Sequence, residues 1–227
     1  MRRFHYIVLV SLLMFLIISC SDMNDMHDSY LKNGETTYVG RVDSIHVFSG
    51  KERVKISYWL KDPRVKDLHV FWNNKNDSII VPVPSHNPLD SMAVTIDPIS
   101  EGDYTFFFYS HDGRGHRSIN FEAFINVYGA RYQATLSNRS VKKVTKVENS
   151  GLILEWGGIN NIDETGVELL FKTTEGEEQS LFIPSEGLSI PTVLENVDYR
   201  AGVNYRTWYK PTPNAIDSFN APLTTIL

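Results

Sequence analysis

From residue 40 onward the chain is written in short runs of β-branched and aromatic residues, parted by clusters of Gly, Pro, Asn and Asp, and helical periodicity is scarce. A chain patterned this way folds into strands. In the first half the runs at 40–47, 53–60, 68–73, 77–82, 93–96, 102–111 and 117–127 predict strands. In the second half those at 141–148, 151–156, 166–172, 178–183, 189–194, 203–209 and 219–226 do. The segment from Arg53 to Leu60 alternates polar with apolar residues, as a half-buried strand does. Tyr104 to Tyr109 is aromatic at five of six positions, which predicts a central strand covered on both faces.

The two halves repeat one plan. Trp59 and Trp156 lie 97 residues apart, Phe71 and Phe171 lie 100 apart, and Tyr104 and Tyr205 lie 101 apart. A shared period with strand order kept predicts two copies of one sandwich, and seven short strands per copy suit an immunoglobulin-like one. Each copy has an early tryptophan expected to point inward, Trp59 or Trp156, and a late turn ending in a tyrosine, Tyr104 or Tyr205. These features resemble tandem fibronectin type III-like domains, where such a tyrosine makes a corner hydrogen bond to nearby backbone. The expected fold class is all-β: two immunoglobulin-like, fibronectin type III-like β-sandwiches in tandem, at 39–132 and 139–227, after a lipoprotein signal peptide. The short connection at 133–139 predicts a semi-rigid rod.

Ahead of the sandwiches, Arg2 and Arg3 precede an apolar run from Ile7 to Ile18 broken only by Ser11. Ile17-Ile18-Ser19-Cys20 then follows the apolar, apolar, small, Cys order of a lipobox, and Cys20 is the only cysteine of the chain. The run is short for a spanning helix, which needs roughly 20 apolar residues, and its flanks are those of a signal peptide. The segment resembles the type II signal of bacterial lipoproteins. That resemblance implies a signal peptide at 1–19, lipid attachment to the membrane at Cys20 and a polar tether over 20–38; two or more acyl chains anchor a protein stably. Ser21-Asp22-Met23-Asn24-Asp25 is similar to the acidic export tag of Bacteroidetes surface lipoproteins, which implies a surface-exposed place on the outer membrane. With Cys20 lipidated, no disulfide or thiol chemistry remains.

Further segments, in order, carry a closer resemblance. Cys20 to Asp25 reads Cys-Ser-Asp-Met-Asn-Asp, and Tyr30-Leu31-Lys32-Asn33-Gly34-Glu35 follows. Tyr38 to Ser44 reads Tyr-x-Gly-x-Val-Asp-Ser, Arg53-Val54-Lys55 opens a strand, and Phe71-Trp72-Asn73-Asn74 stands ahead of Asp77-Ser78. By these motifs the chain is identified as a member of the DUF4998 family of Bacteroidetes lipoproteins, of unknown function. The resemblance implies genes often near carbohydrate-utilisation loci and, in some relatives, an added sugar-binding-like module. This sequence runs to Leu227 after its second sandwich without such a module, which weakens transfer of a glycan-binding role.

Lys and Arg total 22 against 27 Asp and Glu, a net charge of −5; loss of residues 1–19 removes two arginines and no acid, leaving 20 against 27, or −7. A mildly acidic chain with no basic run excludes nucleic acid as partner, because phosphate binding needs clustered Lys and Arg. Arg139, Lys142, Lys143 and Lys146 read as a linker or edge strand with its charges turned to water.

Chemistry is sparse. His111-Asp112-Gly113-Arg114-Gly115-His116 holds two imidazoles and a carboxylate that suit a divalent metal, yet Asp-Gly-Arg-Gly between strands is ordinary hairpin chemistry, so no metal is assigned. Ser85-His86 and Ser110-His111 are adjacent, and neighbours on a strand face opposite ways. No Gly-x-Ser-x-Gly, His-Glu-x-x-His or phosphate-cradling loop occurs, and no cofactor motif does. Trp72, Asn73 and Asn74 on a loop offer an aromatic face for a sugar ring and amides for its hydroxyls, and Trp208-Tyr209 stands late in the second copy. These five residues are the candidate ligand contacts; core packing is the alternative role for each aromatic. The sequence reads as a non-catalytic surface module for binding or spacing, with a polysaccharide as ligand. A module docking an envelope protein is the alternative, and a hydrolase ranks third.

Overall fold

Strand alternation assigns each side chain to the core or to solvent, and the computed structural model describes residues 37–87, 90–148, 150–159 and 161–226. Cys20, the signal peptide and the tether up to residue 36 lie outside the described residues. The first half contains β1 (Ser44–Ser49), β2 (Val54–Trp59), β3 (Asp67–Trp72), β4 (Asp77–Pro82), β5 (Met92–Ile96), β6 (Gly102–His111) and β7 (Phe121–Val127). They form two antiparallel sheets, in the orders β1-β2-β5 and β4-β3-β6-β7. After the short helix α1 (Ala130–Ala134) come β8 (Val141–Val147), β9 (Gly151–Trp156), β10 (Glu164–Lys172), β11 (Glu178–Pro184), β12 (Thr192–Leu194), β13 (Val203–Tyr209), β14 (Phe219–Asn220) and β15 (Thr224–Thr225). Their sheets run β12-β9-β8 and β11-β10-β13-β14, with β15 also on β13. The topology is the same in both halves: two fibronectin type III-like sandwiches. The final strand expected at 219–226 is split in two around Pro222, which has no N–H to give a ladder.

Each sandwich has its own core. Val54, Ile56 and Tyr58 of β2 face Leu68 and Val70 of β3 and Phe106 and Phe108 of β6. In the second, Leu152, Leu154 and Trp156 of β9 face Val167, Leu169, Val203 and Tyr205. The register corrects the sequence alignment of the copies. Ile96 pairs Val54 as Leu194 pairs Leu152, so Tyr58 is the counterpart of Trp156. Trp59 points to the outer side, edge-on to His46 at 5.4 Å. Likewise Val70 pairs Phe108 as Leu169 pairs Tyr205, which places Tyr205 opposite Phe108 in the alignment and leaves Tyr104 without a counterpart tyrosine. Phe171 packs on the second core, whereas Phe71 lies outside the first. A shift of one residue turns a side chain to the other face, and an offset of 97 against 98 is enough to do it.

Tyr104 makes the corner bond, donating to the Ser100 carbonyl at 3.0 Å. Tyr205 donates instead to the carbonyl of Arg139, in the connection between the sandwiches. That connection is fastened to the inward side of β13: the Tyr209 hydroxyl donates to Ser137 O, the Thr207 N–H to Asn138 Oδ1, and the Arg139 N–H to Thr207 Oγ1. Arg139 is not in water as expected. Its side chain is 5 % exposed and pairs at 2.7 Å with Glu164, which is 0 % exposed, and it also donates to Gly157 O. On the other side of the joint Tyr128, Tyr132 and Phe219 pack edge to face at 4.8–6.4 Å. Burial there pushes the Tyr132 hydroxyl pKa up to about 12.

Candidate ligand-binding surface

The turn between β3 and β4 takes three consecutive residues through positive φ, Asn73 (49°), Asn74 (54°) and Lys75 (65°). Asparagine enters that region more readily than most residues because its short amide bonds locally, and Asn73 Nδ2 donates to Asp77 Oδ2 at 3.1 Å. The turn presents its amides to solvent at the end of the first sandwich. Trp72, the last residue of β3, lies on the inner side with its ring 5.9 Å from that of Phe106. Its free edge lines an open depression of about 670 Å³, shared with Asn73, Asn76, Asp77, Ser100 and Tyr104. Asn74 lines a second depression, of about 240 Å³, with Asp103, Thr105 and Phe107, and Asn73 and Tyr104 border both. Aromatic faces beside amides and carboxylates can hold a ligand rich in hydroxyls and C–H faces, since each amide both donates and accepts.

The second candidate pair behaves differently. Tyr209 is 1 % exposed and belongs to the core beside Phe219, so it offers no surface to a ligand. Alternation along β13 puts its neighbour Trp208 on the outer side. There the indole N–H donates to Glu168 Oε2 at 2.9 Å, and the Arg206 guanidinium covers the ring at 4.9 Å. Arg206 also bonds the same carboxylate at 2.6 Å, and with the Ser180 hydroxyl these bonds hold the Glu168 carboxyl below its usual range. Trp208 is thus tied into a polar network of its own sheet.

A profile of the family DUF4998, described as a domain of unknown function, matches residues 20–219. The chain belongs to this family. Among solved structures, this DUF4998 chain is similar to a two-domain fibronectin type III segment of chicken tenascin, with 9 % identity and a TM-score of 0.33, covering 82 % of this chain and 97 % of that one. It is also similar to the FN1–FN3 domains of chicken CNTN1, with 11 % identity and a TM-score of 0.42, covering 84 % of this chain and 65 % of that one. No curated protein matches it at a significant level.

Sequence reasoning missed the outer face of the first β4-β3-β6-β7 sheet in the DUF4998 chain. The aromatic run of β6 was expected to be covered on both sides. Phe106 and Phe108 are buried, but Phe107 and Tyr109 lie half-exposed on the other face, beside Phe71 and His69 of β3. Phe124 of β7 is 64 % exposed and Ile80 of β4 is 58 % exposed on the same face. The signal was present in the sequence: alternate members of a strand necessarily face opposite ways. Further along β6, the suspected metal segment is a closed turn. Asp112 takes the Arg114 N–H and the His116 N–H and ring Nδ1, the last at 2.7 Å, and His116 holds the carboxyl down to about 2. His111 stacks on His69 at 3.9 Å, and burial, with His69 and Arg117 adding, lowers its pKa.

Proposed function

We propose that the chain is a non-catalytic binding module, lipidated at Cys20 and displayed on the bacterial outer membrane, that captures polysaccharide at the Trp72 end of its first sandwich. The observation that carries this reading is the open depression at the 73–76 turn, where Trp72 and Tyr104 stand beside Asn73, Asn76 and Asp77. The fibronectin type III-like fold supports it by holding such a turn on rigid strands. The rival, a module that docks an envelope protein, is favoured by one feature: β11 ends its sheet with Leu181 and Phe182 exposed, an edge that a partner strand could extend. Binding of the full chain to a panel of polysaccharides, with Trp72→Ala and Trp208→Ala alongside, separates the two. Capture lost in Trp72→Ala alone supports the reading; no capture of any polysaccharide moves it to the protein partner.

A further inference from the structure

Where β7 runs into α1 there is a further open depression, of about 360 Å³. Its aromatic wall is Tyr128 and Tyr132, both half-buried, whose rings meet edge to face at 4.8 Å. Among the described residues no cation lies over either ring. Asp103, Asn126, Arg131 and Thr135 supply polar groups around it. Asn126 Nδ2 donates to Asp103 Oδ1 at 2.6 Å, which leaves the other Asp103 oxygen and the Asn126 amide oxygen as acceptors. Arg131 approaches the Glu101 carboxylate at 3.5 Å and donates to the Glu101 carbonyl, yet its side chain is 77 % exposed and keeps N–H groups to offer. The wall formed by α1 is fixed in advance: Glu101 accepts the Arg131 and Tyr132 N–H groups at 2.7 and 2.8 Å, and Gln133 Nε2 donates to Asn220 O.

We propose that this depression is a second sugar subsite, and that a neutral polysaccharide crosses the strand ends from Trp72 to Tyr128. The inference rests on the polysaccharide reading and deepens it by naming the class of sugar and a further contact. Placement supports the path. Asp103 borders both this depression and the one lined by Asn73, Asn74 and Tyr104. β3 pairs with β6, and β6 pairs Asp103 with Asn126 of β7. The two strand spacings from β3 to β7 amount to about 10 Å, wider than one sugar ring. Charge supports the class. Among the described residues that line the three depressions, Asp77, Glu101 and Asp103 are acidic and Arg131 alone is basic, which disfavours an acidic polymer. Each of those carboxylates already accepts an N–H, Asp77 from Asn73, Asp103 from Asn126 and Glu101 from the backbone, so the capacity left suits hydroxyl donors. The tyrosines offer apolar faces to the C–H side of a ring. A wall held by backbone bonds reduces the ordering that binding must impose.

Calorimetric titration of the full chain in detergent with cello-, malto- and manno-oligosaccharides of two to six rings tests the proposal. In the series that binds, the hexasaccharide is expected to bind about tenfold tighter than the disaccharide. Tyr128→Ala should bring the hexasaccharide down to the disaccharide value and leave the disaccharide unchanged, whereas Trp72→Ala should weaken both. Tyr128 also packs on Phe219, so the unfolding midpoint of its variant is measured alongside. The Asn126 side-chain amide signals of the unaltered chain give a second reading by NMR: they should shift with the hexasaccharide and not with the disaccharide. Equal affinity at every length, or a bound hexasaccharide that leaves the Asn126 signals unmoved, overturns the second subsite, while the Trp72 reading stands if Trp72→Ala abolishes that binding. Hexagalacturonate bound as tightly as the neutral hexasaccharide overturns the neutral class. Failure of every oligosaccharide and polysaccharide removes both proposals together.

Discussion

The Arg53 guanidinium of the first sandwich closes on the Asp217 carboxylate of the second across 164 residues of chain, Nε to Oδ2 at 2.8 Å and Nη2 to Oδ1 at 2.5 Å. The Lys51 N–H donates to the same carboxylate, and Ile216 N–H donates to Ser49 O beside it. Gly50 makes the approach feasible, since a Cβ there would lie 2.5 Å from Asp217 Oδ2 and 2.8 Å from Ile216 Cγ1. A short connection alone would permit bending; this reach-back from the β13–β14 loop restrains it.

Asp217→Ala and Gly50→Ala should each free the sandwiches to tumble separately. Backbone ¹⁵N relaxation would then give two correlation times where the unaltered chain gives one. The hydrogen bonds from Arg53, helped by the Lys51 N–H, lower the Asp217 pKa. A depressed carboxyl stabilises fully above its unfolded value of about 4, and that contribution is lost as pH falls through the lower folded value. The joint should therefore be unchanged from neutral pH to about pH 5 and loosen below about pH 4.

Arg139→Met should cost about 3–5 kcal/mol, because it strands the buried Glu164 carboxylate, and adding Glu164→Leu should recover most of the loss. Urea unfolding midpoints of the single and double variants read this directly. Equal stability of Arg139→Met and the unaltered chain would show that the pair is solvated after all.

The two tyrosines aligned by sequence should separate in the same assay. Tyr104→Phe removes an exposed bond to Ser100 O and should cost about 1 kcal/mol. Tyr205→Phe leaves the Arg139 carbonyl without its partner in a buried setting and should cost about 1–3 kcal/mol. A larger loss for Tyr104→Phe would contradict the burial difference.

Much of this architecture was legible because β-branched and aromatic runs, broken by turn residues, report strand count and order without knowledge of partners. β2, β4, β6, β9 and β13 fall within a residue of their expected bounds. What escaped was whatever depends on facing. Trp59 and Tyr58 are adjacent and equally bulky, and only pairing with β5 shows that Tyr58 is the one inside. Tyr209 and Trp208 pose the same ambiguity with the opposite answer. Arg139 looked like part of a solvated basic stretch, since its partner Glu164 lies 25 residues away and nothing local announces it. Around the candidate site, Trp72, Asn73 and Asn74 were visible as neighbours in sequence. Tyr104, Ser100 and Phe107 join them only because β6 pairs with β3.

The most direct test uses the four tryptophans as reporters, since each indole has a different environment. Trp156 bonds Thr192, Trp208 bonds Glu168, Trp59 packs on His46, and Trp72 lines the open depression. In a proton–nitrogen NMR titration with a polysaccharide that the chain captures, the account predicts that the Trp72 indole signal moves first and furthest while that of Trp156 stays fixed. A shift confined to Trp208, or binding that leaves Trp72 untouched, would contradict it.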